Sequence, residues 1–132
     1  MASAPADDPR RRLGARGEAL ARAHLLRAGY ELVECNFRCR AGELDIVAAD
    51  ARALVFCEVK TRVAGSRFGP DGPLEAIGPA KQRRLRLLAR EWLHERGPGG
   101  RPTLALLRFD AIGITVDARG ALLSLEHVED AF

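Results

Sequence analysis

Apolar and polar positions along the chain change their period several times, and each change marks an element. From about Arg10 to Ala28 small and apolar residues recur at helical spacing, one stripe running Ala15, Ala19, Ala23, Leu26 and its neighbour Gly14, Glu18, Ala21, Leu25, with Gly29 as the stop. Glu18 thus sits among small and apolar residues, a placement that lets a carboxylate lie against a neighbouring element. The period then shortens to two. "YELVECNF", "ELDIVAAD" and "ALVFCEVKTR" read as strands, the last two joined by "DAR" into an antiparallel hairpin. The Gly- and Pro-rich stretch "VAGSRFGPDGPLEAIGP" is too long for a simple turn and reads as a functional loop.

Helical spacing returns from Pro79 to Arg96, with Leu85, Leu88, Ala89 and Trp92 as the apolar face. Lys81 and Gln82 lie one turn earlier in line with that face and are expected to point at the sheet. After "GPGGRP", the segments "TLALLRFDAIGITV" and "ALLSLEHVED" read as two more strands around "DARG". The order α-β-β-β-α-β-β predicts an α/β domain, a mixed central β-sheet flanked by helices, over residues 10–130. Residues 1–9, small with Pro and Asp, read as a disordered tail.

Composition narrows the class. A chain of 132 residues, 47% hydrophobic and 30% charged, is the size of one globular domain. No apolar run approaches the roughly 20 residues of a membrane-spanning helix, and "MASAPADDPRRR" lacks a signal peptide's apolar segment, so the expected address is the cytoplasm, with no membrane partner. Cys35, Cys39 and Cys57 cannot all pair. A Cys-x3-Cys spacing without a second pair or nearby histidines is a poor zinc signature, so reduced thiols serving as small strand residues are expected.

The net charge is only +3, but basic residues are grouped: "RRR" at 10–12 with Arg16, and "KQRRLR" at 81–86 with Arg90. Such groups make either a phosphate-binding face or a solvated helix surface. Only two of the 21 basic residues are lysines, Lys60 and Lys81. In a chain so biased toward arginine, these two mark places where a compact, deprotonatable amine differs from a guanidinium.

Asp45, Glu58 and Lys60 interrupt strands that a core alone would fill with valine and isoleucine, because a buried charge costs several kcal/mol unless it is paired or bound to a metal. In "FCEVK", Glu58 and Lys60 share one strand face while Cys57 and Val59 take the other. Asp45, in the preceding strand of the hairpin, comes opposite Glu58 if the register is right. Two converging carboxylates repel unless a cation sits between them, and an oxygen-rich site suits Mg²⁺ or Mn²⁺. A lysine beside it can hold a phosphate and orient or deprotonate water, which is phosphodiester chemistry. The competing reading is an ion pair on a sheet edge. Glu18 on an apolar helix face and Lys81 and Gln82 at an inward helix start favour the site. His24, His94 and His127 are scattered in sequence and read as surface or supporting residues, and Trp92 as core.

Together "GARGEALARAHLLRAGYELVECNFRCRAGELDIVAADARALVFCEVKTR", "KQRRLRLLAREWL" and "LRFDAIGI" resemble the YraN family of small bacterial proteins, predicted members of the PD-(D/E)xK restriction-endonuclease-like superfamily related to archaeal Holliday junction resolvases. The resemblance covers roughly Leu13 to Ile114. It implies a restriction-endonuclease-like core and a Mg²⁺- or Mn²⁺-dependent deoxyribonuclease, acting on branched or junction DNA, with a homodimer for a junction with two strands to cut. It places the helix glutamate at Glu18, the metal aspartate at Asp45, and the Glu-x-Lys pair at Glu58 and Lys60, with the Val59 carbonyl as a further ligand. Lys81 or Gln82 fits the helix position near the phosphate, Arg62 and Arg83 are flanking candidates for nucleic-acid contact, and Asp110 has a structural role. Arg38 and Arg40 flank the site too, as phosphate contacts or as salt-bridge partners of local glutamates. The alternative from another class is a module that keeps the fold and binds nucleic acid or protein without cutting.

Overall fold

The computed structural model describes residues 8–65, 77–96 and 106–132. Its elements follow the periodicity: α1 (Pro9–Arg27), β1 (Glu31–Cys39), β2 (Gly42–Ala49), β3 (Ala53–Val63), α2 (Pro79–Arg96), β4 (Leu106–Val116) and β5 (Leu122–Val128). Asp8 and Pro9, read from sequence as tail, instead open α1: the Asp8 carboxylate accepts from Arg10 N at 3.0 Å, with Pro9 in the first turn where no N–H is needed. Residues 1–7 and most of the long loop, 66–76, lie outside the described residues.

The five strands form one mixed sheet in the order β1-β2-β3-β4-β5. β3 and β4 run parallel through the α2 crossover, and the other neighbours are antiparallel. Because the central strands are covered on both faces, β3 buries alternate residues on opposite sides. Val55 and Cys57 meet α1, while Leu54 and Phe56 meet α2. On α2 the buried residues are the expected Leu85, Leu88, Ala89 and Trp92. On α1 they are Gly17, Ala21 and Leu25, so the inward face follows the second stripe, and Leu26 of the first is 57% exposed.

Close approach fixes α1 on the sheet. A Cβ built on Gly17 would lie 1.7 Å from Thr61 Oγ1, so only glycine lets the helix rest on β3 at that point.

A polar network ties the other end of α1 to β4 and β5. Asp110, 0% exposed, is bridged by Arg108 (Nε–Oδ1 2.9 Å, Nη2–Oδ2 3.0 Å) and receives Asp130 N at 3.0 Å. His127 Nε2 lies 2.7 Å from Asp110 Oδ2, and His24 Nε2 lies 2.9 Å from His127 Nδ1. Arg108 also donates to the Tyr30 hydroxyl. His24 and His127, scattered in sequence, are therefore neighbours in the fold, and Asp110 has the structural part expected of it. Among the described residues no helix is long and apolar enough to cross a membrane.

Candidate active site

The site forms where β2 leaves β3. Their ladder runs from Ala49↔Leu54 to Ile46↔Cys57 and stops. One further step would set Asp45 opposite Glu58, the arrangement the hairpin predicts. There the Asp45 side chain replaces the backbone partner, Oδ2 accepting from Val59 N at 2.8 Å. Strand alternation slips at the same place: Leu44 packs with the α2-side cluster, Ile46 with the α1-side cluster and Val47 with the α2 side again. The facing residue of β1, Asn36, has φ 58, a left-handed conformation that asparagine tolerates. This irregularity brings Glu43 toward α1 rather than away from it.

Glu18 of α1 and Glu43 and Asp45 of β2 consequently offer carboxylate oxygens that all lie within 4.8 Å of one another. With its amide turned so that nitrogen faces the acids, Asn36 donates to Glu43 Oε1 at 2.8 Å and Glu18 Oε2 at 2.9 Å. Arg38 reaches Glu43 Oε2 at 3.5 Å. These donors do not remove the crowding of negative charge. Burial, then the Glu58 charge, pushes Asp45 up to about 8 despite the hydrogen bond from Val59 N. Burial and Glu43 likewise raise Glu18, against Arg22 and the Asn36 hydrogen bond.

Glu58, 6% exposed, points to the α2 side and meets both lysines of the chain: Lys81 Nζ at 2.6 Å and Lys60 Nζ at 3.5 Å, both on Oε1. The two amines are driven apart. Burial, then Lys81, lowers Lys60 against the opposing pull of Glu58. Burial also works against charge on Lys81, but its hydrogen bonds to Glu58 and Lys60 and the charges of Glu58 and Asp45 together outweigh that, and Lys81 is raised. Lys81 is thus the lasting cation and Lys60 the amine that gives up its proton more readily.

Of the residues singled out by sequence, Glu18, Asp45, Val59, Glu58, Lys60 and Lys81 meet at this end of the sheet. Gln82 instead donates its amide to Ile77 O at 3.1 Å, closing the approach to α2. Arg83 is exposed on α2, and Arg62, one same-face position beyond Lys60, is exposed with Nε donating to Thr115 Oγ1 at 3.1 Å. Glu43 was missed. Its signal was present, since "GELD" sets two acids two apart on a strand.

The profile of the uncharacterised protein family UPF0102 matches residues 17–114, a span that holds every residue of this constellation. A UPF0102 protein of Streptomyces griseus is 50% identical over 118 residues, covering 87% of this chain and 91% of its own. One from Rhodococcus jostii is 47% identical over 120 residues (91% and 95%), and one from Geobacter metallireducens 44% over 120 residues (91% and 91%). With the match running from the middle of α1 through β1, β2, β3 and α2 to near the end of β4, the chain belongs to the UPF0102 family.

Proposed function

We propose that this protein is a cytoplasmic metal-dependent endonuclease that hydrolyses DNA phosphodiester bonds, selecting branched or junction DNA by structure. The observation that carries the reading is the meeting of Glu18, Glu43 and Asp45 beside Glu58 and the only two lysines of the chain. The donor set fits the cofactor: carboxylate oxygens from two elements, with Asp45 raised to about 8 by burial and by the Glu58 charge, suit a hard ion such as Mg²⁺ or Mn²⁺. When bound, such an ion polarises a phosphate oxygen and stabilises the charge that builds up during displacement.

The chain's own groups divide the remaining work. Asp45 and Glu58, with the Val59 carbonyl, would hold the ion, Glu18 and Glu43 would complete the acidic cluster, and the Val59 N–H fixes the Asp45 carboxylate. Lys60, its amine lowered by burial and by Lys81, takes a proton from the attacking water as its oxygen bonds to phosphorus and the bond to the leaving oxygen breaks; that oxygen picks up a proton from solvent, and Lys60 returns its own to solvent before the next turnover. Lys81, 2.6 Å from Glu58, offers its remaining N–H donors to the phosphate. The first turn of α2 carries no acid, so its positive end is left for an anion. A junction with two strands to cut calls for two such sites and hence a homodimer.

One observation favours a second reading, a module that binds without cutting: Lys81 Nζ already neutralises Glu58 at 2.6 Å. Cleavage assays separate the two. Labelled duplex, single-stranded, flap and four-way-junction DNAs are incubated with wild type, Asp45→Asn and Lys60→Ala in Mg²⁺, Mn²⁺ or EDTA. Metal-dependent cutting lost in both variants is the expected result. No cutting of any substrate, with binding unchanged by the substitutions, would leave the binding module.

A further inference from the structure

A groove of about 530 Å³ lies beside the N-terminal half of α1, where the helix meets the ends of β3 and β4 and the β4–β5 turn. Its floor is apolar, made by Leu13, Val63 and Val116, and its rim carries Arg10, Arg12, Arg16 and Arg119. Arg16 and Glu18 are two positions apart, about 200° around the helix, so the groove and the acidic cluster lie on opposite flanks of α1. Both open at the same end of the sheet.

Three of the four rim arginines are left without an acid among the described residues. Asp117, the acid of the lining, accepts from Arg119 N and Ala121 N at 2.8 and 2.9 Å and so shapes the turn. No carboxylate among the described residues forms an ion pair with Arg10, Arg16 or Arg119. Arg16 Nε donates to Gly120 O at 2.9 Å, fixing its guanidinium on the groove wall. Guanidinium forks around an apolar floor match a sugar–phosphate backbone, the forks taking phosphate oxygens and the floor a sugar face.

The groove is also at a useful distance. Val63 is three residues past Lys60 and five past Glu58, about 10–17 Å at ~3.3 Å per strand residue. That is roughly three to five nucleotides at ~3.4 Å of rise each. We propose that this groove clamps the backbone of the DNA arm leaving the cut site, gripping phosphates a few nucleotides from the scissile one; this rests on the nuclease reading of the neighbouring site.

Binding can be read without turnover by anisotropy of labelled four-way-junction and duplex DNA in EDTA, between 50 and 200 mM salt. The double variant Arg10→Ala/Arg119→Ala is suited to the test, since the hydrogen bonds these residues make to Asp8 and Asp117 come from main-chain nitrogens and survive substitution. Two lost phosphate contacts should make the slope of log K against log salt shallower by about 1.8, and the matching lysine variant should keep the wild-type slope. A slope and affinity unchanged in the alanine variant would overturn the clamp, as would absence of wild-type binding at 50 mM salt. A shallower slope in a protein that never cuts would retain the clamp and remove the nuclease. Normal cutting with an unchanged slope would do the reverse.

Discussion

Asp45 shows how a single residue can be chosen against stability. Its carboxyl is raised to about 8 by burial and by Glu58, so the folded chain holds a proton there that the unfolded chain gives up near 3.8. Between those values the folded state binds more protons, and this contribution to stability declines as pH rises. Asp45→Asn removes the decline. At pH 8 it should be more stable than wild type by on the order of 1–2 kcal/mol, the common gain when a strained functional group is removed, and should lose cleavage. Denaturant midpoints at pH 5 and pH 8 check this, because the gain should shrink at the lower pH. The lysines are a second residue-scale case. Lys60→Arg keeps the charge but cannot release a proton near neutrality, so cleavage should fall at least a hundredfold with DNA binding retained. Rates and anisotropy on the same variant separate the two effects. Here sequence was informative because arginine bias made two lysines conspicuous, and both converge on Glu58. The "GELD" spacing hinted at Glu43, but its turn toward α1 depends on the slip at Asp45, which the spacing alone does not show.

Helix α1 is positioned by a missing side chain. Taken alone, Gly17→Ala should improve the helix by roughly 1 kcal/mol. In place, the new Cβ meets Thr61 at 1.7 Å and must push α1 off β3. Overpacking of this kind costs about 1–3 kcal/mol, which exceeds the helical gain. Gly17→Ala is therefore expected to lower thermal stability and, by moving the adjacent Glu18 away from Asp45, to weaken Mn²⁺ binding. Calorimetric titration with the metal alone reads the second effect, and unchanged affinity would show that Glu18 is not held by this contact. The elements themselves were legible because their periods differ: α2 spans Pro79–Arg96 as its spacing predicts. The inward face of α1 was less clear, since alanines lie on both of its stripes and burial follows Gly17, Ala21 and Leu25. Strand registers were only half readable, because the end of the β2–β3 ladder depends on side-chain capping by Asp45.

Across the whole molecule, two polar clusters at different points along α1 give stability opposite dependences on pH. In the network at the far end, burial, then His127 and Arg27, lowers His24 below its usual 6.5. A histidine depressed in the folded state stabilises fully above its unfolded pKa, and that contribution is lost as pH falls through the folded value. Asp110, whose burial is outweighed by His127, Arg108 and the Asp130 amide, is held below the usual 3.8. The His24 contribution thus rises with pH up to about 6.5, whereas those of Asp45 and Glu18 decline from near 4 upward, Asp45 as far as about 8. Below 6.5 the slopes oppose one another, and above it the His24 contribution is complete while the Asp45 decline continues. Wild-type thermal stability should therefore peak near or below pH 6.5 and fall toward pH 8. In Asp45→Asn the fall above 6.5 should flatten, leaving the rise from His24 more visible. In His24→Ala the rise should go while the fall persists. Melting temperatures of the three proteins between pH 5 and pH 8.5 decide the matter. If all three curves keep one shape, neither cluster governs the pH response of this fold.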